Sequence, residues 1–99
     1  MTDAAAPDAR LTTPDRVTMY GAAWCSDCRR SKALLDRLAV DYEYVDLEAV
    51  ADGATRAEAI SGRKSIPVIV FPNGRHVVEP SDAELTEELA TAGVVEPVA

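Results

Sequence analysis

Trp24-Cys25-Ser26-Asp27-Cys28-Arg29 contains both cysteines of this 99-residue chain. It follows an apolar run, Val17 to Tyr20, and precedes a helical pattern, Ser31 to Leu38. A Cys-x-x-Cys at a strand-to-helix junction, behind an N-terminus with neither the basic nor the apolar part of a signal peptide, reads as a redox dithiol. A helix that starts near Cys25 points the unpaired N–H groups of its first turn, and the positive end of its dipole, at the Cys25 sulfur. Both favour the thiolate, the form that attacks disulfides. Cys28, at i+3, falls on the same helix face, within reach of an intramolecular disulfide. Cys25 is therefore the expected nucleophile and Cys28 the expected resolving thiol. Asp27 opposes the thiolate: at roughly 8 Å in water a unit charge costs ~0.5 kcal/mol. The helix terminus supplies more than that, and Arg29, four residues past Cys25, is expected to offset part of it.

Working outward, residues 1–14 are small, polar and interrupted by proline, and read as a disordered leader. Residues 15–99 read as one domain. Arg16-Val-Thr-Met-Tyr20 alternates and carries β-formers, so it is a first strand ending near Gly21. The first helix is expected from Ser26 to Ala39, with Ser31, Leu34, Leu35 and Leu38 as its inward stripe. Tyr42-Glu-Tyr-Val-Asp46 alternates again and reads as a second strand, with Tyr42 and Tyr44 in structural roles. Thr55-Arg-Ala-Glu58 has capping-box spacing and opens a short helix that stops at Gly62; Gly53 interrupts the pattern before it. Ile66 to Phe71 is the most apolar run and suits a central strand. Pro72-Asn73-Gly74 then turns the chain into Arg75 to Glu79, because Asn-Gly tolerates the backbone such hairpins need. Ser81-Asp-Ala-Glu84 is a second capping box, starting a helix through Leu85 and Leu89 that ends at Gly93. The order is β-α-β-α-β-β-α, an α/β chain. Its first two strands, joined through a helix, are expected to be parallel and its last two antiparallel.

The totals narrow the function. A net charge of −7 argues against binding nucleic acid or anionic membranes. No run approaches the ~18 apolar residues that suggest a membrane span. A cytoplasmic location is expected, where a dithiol stays reduced unless it turns over. Structural zinc needs four ligands, and beyond the two cysteines only His76 has a suitable side chain, on a distant hairpin. No metal site is expected within one chain.

With Cys25-Ser-Asp-Cys28 at the first strand–helix junction, Arg63-Lys-Ser-Ile-Pro67-Val before the third strand, Pro72-Asn-Gly74 at the hairpin and Glu79-Pro-Ser-Asp82 at the last helix, the chain resembles the glutaredoxin family from about Val17 to Gly93. Within it the chain looks most like the actinobacterial mycoredoxins. The resemblance implies a thioredoxin-like (glutaredoxin) fold with a central four-stranded mixed sheet, and a cis bond between Ile66 and Pro67 opposite Cys25. It implies a thiol–disulfide oxidoreductase of cell redox homeostasis and electron transport, with no bound cofactor and a low-molecular-weight thiol, mycothiol or glutathione, as co-substrate. Its partners would be S-thiolated or oxidised proteins and a disulfide reductase, and the chain would act as a monomer. The thiol groove would be formed by Trp24, Arg63, Lys64, Ile66, Pro67, Ser81 and Asp82, although Ser81 also serves as a plain helix cap. Ser26-Asp27 replaces the common Pro-Tyr. Two further departures point from glutathione toward mycothiol: Ala22 and Ala23 stand where many glutathione-binding members carry lysine, and Glu79-Pro80 replaces Gly-Gly. Two alternatives stand beside this reading. One is a ribonucleotide-reductase-coupled redoxin reduced by thioredoxin reductase, although the Ser-Gly-Phe-Arg-Pro usual there is absent. The other is an iron–sulfur glutaredoxin that bridges a cluster between two chains.

Overall fold

The computed structural model describes residues 9–96. Eight elements follow one another: α1 (Ala9–Thr12), β1 (Val17–Gly21), α2 (Ser26–Arg37), β2 (Tyr42–Asp46), α3 (Gly53–Ser61), β3 (Val68–Val70), β4 (His76–Val78) and α4 (Asp82–Thr91). The strands form one mixed sheet in the order β2-β1-β3-β4. β1 pairs parallel with β2 and antiparallel with β3, and β3 pairs antiparallel with β4. From β1 onward this is the thioredoxin-like topology that the sequence order indicates.

Alternation along the two central strands divides the core into two layers. Val17 and Met19 of β1, with Ile69 and Phe71 around β3, pack against Leu34 and Leu35 of α2 and Leu85 and Leu89 of α4. Tyr20, Val68 and Val70 face the other way, onto Val45 and Ala57 of α3's layer. Both faces of β1 and β3 are thus covered, which is why their sequences read as continuous apolar runs. Each fully buried Leu or Ile contributes about 1.5–3 kcal/mol of transfer free energy. The sheet is therefore a rigid base for the loop that leaves β1 at its C-terminal end.

Polar contacts set the helix positions more finely. The Tyr42 hydroxyl donates to Asp36 at 2.6 Å, and the Lys32 ammonium lies 5.9 and 5.7 Å from the Tyr42 and Tyr44 ring centres, tying α2 to β2. The Arg75 guanidinium grips Glu88 through two bonds, Nε to Oε1 at 2.8 Å and Nη2 to Oε2 at 2.9 Å, so the hairpin holds α4. At the start of α4 both halves of the capping box form. The Glu84 N–H donates to Ser81 Oγ at 3.1 Å, and the Ser81 N–H donates to Glu84 Oε1 at 2.8 Å.

Three local expectations are corrected. α3 begins at Gly53, two residues before Thr55, with Asp52 in the cap position and no side-chain cap bond. Turns through Ala49, Val50 and Gly53 lead straight into that helix. A Cβ at position 53 would meet Leu47 Cδ2 at 2.9 Å, so this glycine permits close packing where the sequence suggests an interruption. β3 is shorter than the apolar run, because Pro67 lacks an N–H for the ladder and Phe71 is already bonded into the turn with Arg75. Within the segment read as a leader, Ala9–Thr12 forms one helical turn; its residues 1–8 lie outside the described residues.

Replacing Ser81 with Ala removes one half of the capping box. The unfolding free energy is expected to fall by about 1 kcal/mol, seen as a lower urea midpoint at unchanged slope. An unmoved midpoint would show that the box carries no stability.

Candidate active site

The β1 strand ends at Gly21, and the chain then makes a tight loop in which the Cys25 N–H donates to the Ala22 carbonyl at 3.2 Å. Cys25 is the N-cap of α2, in extended backbone (φ −85°, ψ 118°), and its sulfur takes the acceptor position usually filled by a Ser or Asn oxygen. The Cys28 N–H donates to Cys25 Sγ at 3.2 Å. The helix terminus thus places an N–H donor directly on one sulfur. That donor and the helix dipole favour negative charge there.

The two thiols, chemically identical, occupy different depths. Cys25 is 9% exposed and Cys28 1%. Cys28 fits because position 21 is glycine: a Cβ there would lie 3.0 Å from Cys28 Sγ. Burial, followed by the hydrogen bond with Cys25, pushes the Cys28 thiol up to about 12, well above the usual thiol range. The Asp27 carboxylate adds to the same rise. Cys28 therefore keeps its proton at neutral pH.

Opposite Cys25 the Ile66–Pro67 peptide is cis, as the resemblance implies. The Cys25 sulfur lies 3.9 Å from the Ile66 carbonyl oxygen, a weak S–H contact. The Glu79 N–H donates to the Pro67 carbonyl at 3.0 Å, which brings the segment before α4 alongside the same peptide. Cys25, Cys28, Ile66 and Pro67 are thus brought together. Trp24 is 67% exposed next to the sulfur. Arg63 and Lys64 border an open cavity of about 300 Å³ that also reaches Ile66 and the side of α3.

Ser81 and Asp82 stand at the start of α4, and the link from there to the thiols runs through a residue the sequence reading left out. Arg30 Nη1 donates to Asp27 Oδ1 at 2.9 Å, Nη2 donates to the Pro80 carbonyl at 3.1 Å, and Nε lies 3.9 Å from Asp82 Oδ1. Arg29, expected to offset Asp27, instead donates to the Ala23 carbonyl at 2.8 Å. The i, i+3 spacing of Asp27 and Arg30 was the available signal. The Pro80 contact, fifty residues along the chain, left none. Gly21 was read only as a strand end, and nothing local marks its closeness to Cys28. Among the described residues, no group of three or more His, Cys, Asp or Glu converges to hold a metal ion.

Comparison with known proteins agrees with this geometry. The sequence model of the family described as Glutaredoxin matches residues 17–77, more than half of the chain. A Mycobacterium tuberculosis (strain H37Rv) protein whose name assigns it provisionally to the glutaredoxins is 28% identical over 74 residues, covering 74% of this chain and 88% of its own. Among solved structures, the glutaredoxin (grx-1) from Archaeoglobus fulgidus superposes with a TM-score of 0.69 at 26% identity, covering 83% of this chain and 94% of that one. A buckwheat glutaredoxin–glutathione complex, at 23% identity and a TM-score of 0.65 over 87% of this chain and 86% of that one, shares the fold. The chain belongs to the glutaredoxin family and is a thiol–disulfide oxidoreductase.

Brief treatment of the reduced protein with iodoacetamide at pH 7 is expected to label Cys25 well before Cys28, read by peptide mass mapping. Equal labelling of both would contradict the difference in depth and protonation.

Proposed function

We infer, taking membership of the glutaredoxins as the premise, that Cys25 is the attacking thiolate and Cys28 the resolving thiol, and that the protein reduces mixed disulfides between proteins and a small thiol. The observation that carries the reading is the bond from the Cys28 N–H to Cys25 Sγ above a buried, protonated Cys28. Cys25 attacks the small-thiol sulfur, an S–S bond forms to Cys25, and the protein thiolate leaves and takes up a proton. A second small thiolate then attacks the adduct, releasing the small-thiol disulfide and restoring Cys25. The net result is one mixed disulfide reduced to the protein thiol, one free small thiol consumed and one small-thiol disulfide formed.

With a protein disulfide as substrate, Cys25 forms a mixed disulfide with the protein, and Cys28 attacks Cys25 to release the second protein thiolate. Part of what holds the Cys28 proton is its hydrogen bond to Cys25 and the charge of Cys25. Both are lost once Cys25 is bound in a disulfide, so Cys28 becomes easier to deprotonate at the step that needs it. Before that step it does not compete.

The groove assignment extends from there. The Ile66 backbone pairs with the extended part of the small thiol, Trp24 flanks it, and Arg63 and Lys64 supply donors along one wall. Ser81 and Asp82 form the other wall, next to Pro67. Mycothiol suits this groove better than glutathione. Glu84 already occupies the Ser81 N–H at the start of α4, and Glu79 and Asp82 add further carboxylates, which disfavours an incoming amino-acid carboxylate there. Glutathione, bound in the buckwheat complex, is the alternative co-substrate. We further infer a cytoplasmic monomer in which residues 15–99 form the working domain.

The test offers oxidised protein, separately, mycothiol with its reductase, glutathione with its reductase, and thioredoxin reductase, following NADPH consumption. Turnover with mycothiol is expected. Turnover with thioredoxin reductase alone would overturn the small-thiol reading. Replacing Cys28 with Ser should preserve reduction of S-thiolated peptides and abolish that of protein disulfides; loss of neither activity would remove Cys28 from the mechanism.

A further inference from the structure

Arg30 joins two elements on which the site depends. The first turn of α2 carries Cys25, Asp27 and Cys28, and the segment leading into α4 carries Pro80, Ser81 and Asp82. One guanidinium spans both, through Asp27 Oδ1 at 2.9 Å, the Pro80 carbonyl at 3.1 Å and Asp82 Oδ1 at 3.9 Å. Its side chain is 44% exposed, so these contacts add little to stability. They do fix where a carboxylate and a backbone segment sit relative to the thiols.

We propose that Arg30 is a positioning residue with two separable roles: it neutralises Asp27 beside the thiol pair, and it pins the Pro80–Asp82 wall of the groove to the redox helix. The proposal rests on the reading of Cys25 as nucleophile and of that segment as a groove wall. The groups in question come from four segments. Cys28, Asp27 and Arg29 lie on α2, Asp82 on α4, Arg63 and Lys64 before β3, and Glu79 after β4. Of the two arginines that follow Cys28 directly, Arg29 is engaged by the Ala23 carbonyl and leaves the Asp27 carboxylate to Arg30. The second role needs a planar fork. A guanidinium presents five donors in fixed directions and meets three acceptors at once, whereas an ammonium is a point charge on a flexible stem. Charge and pinning therefore separate by substitution.

The test compares the wild-type protein with Arg30→Lys, Arg30→Gln and the double variant Asp27→Asn/Arg30→Gln. One readout is the pH profile of Cys25 alkylation by iodoacetamide. The other is kcat and KM for a cysteine peptide S-thiolated with mycothiol, with a glutathionylated peptide run in parallel. Arg30→Gln is expected to move the alkylation midpoint up by a few tenths of a pH unit, the size of one nearby uncompensated charge screened by water. It should also raise KM by about two- to tenfold, as loss of one ordinary hydrogen bond would. Arg30→Lys should keep the wild-type midpoint but share the raised KM. The double variant should recover the midpoint and not the KM.

A wild-type KM in Arg30→Lys, or recovery of both readouts in the double variant, would overturn the pinning role. An unmoved midpoint in Arg30→Gln would overturn the charge role. If Arg30→Gln does not fold, Arg30→Lys tests the pinning and Asp27→Asn alone tests the charge role: the unmet Arg30 charge should lower the alkylation midpoint by a few tenths of a pH unit, and an unmoved midpoint would overturn that role. Full activity of Cys25→Ser would overturn the nucleophile assignment separately, whatever Arg30 does.

Discussion

A backbone N–H held 3.2 Å from a sulfur is the contact on which the site depends. It exists only if Cys25 is the residue before the first turn of α2 and if α2 starts where β1 ends. β1 is fixed between β2 and β3 and buried on both faces, so the loop from Gly21 to Trp24 leaves from a point that cannot drift. Gly21 lets Cys28 pack against the end of that strand, and the cis Ile66–Pro67 peptide closes the other side of the sulfur. The two-layer core serves mainly to hold these parts in register.

Depth does the rest. Two identical thiols three residues apart would otherwise compete for the same proton and the same substrate. Burial and the neighbouring Cys25 keep Cys28 protonated, while Cys25, buried less deeply, sits on the helix terminus. The negative charge of Asp27, which adds to the rise of the Cys28 thiol, is met by Arg30 rather than by the neighbouring Arg29. The same guanidinium reaches the Pro80 carbonyl before α4, so one residue touches both the redox helix and the proposed groove wall.

Much of this is legible in the sequence, and the reason is local physics. The change from strand to helix periodicity on either side of Cys25, the Ser81–Glu84 capping box and the Pro72-Asn73-Gly74 turn each carry their signal within a few residues. The start of α3 did not, because Gly53 sits there for the sake of Leu47, a contact in space. α1 is four residues long, too short to show a period. Arg30 was missed for a similar reason: its helix partner is three residues away, but its bond to Pro80 crosses fifty. The groove assignments of Arg63 and Lys64 come from resemblance, since one sequence marks two basic residues on a loop no differently from any solvated pair.

The central claim is that the sulfur at the helix terminus, and not the deeper one, takes the small thiol. The most direct measurement is the intact mass of Cys28→Ser and of Cys25→Ser after exposure to an S-thiolated peptide, with the adduct mapped by peptide digestion. The account predicts one small-thiol adduct, on Cys25, in the Cys28→Ser protein and none in Cys25→Ser. An adduct on Cys28 of comparable yield would contradict it.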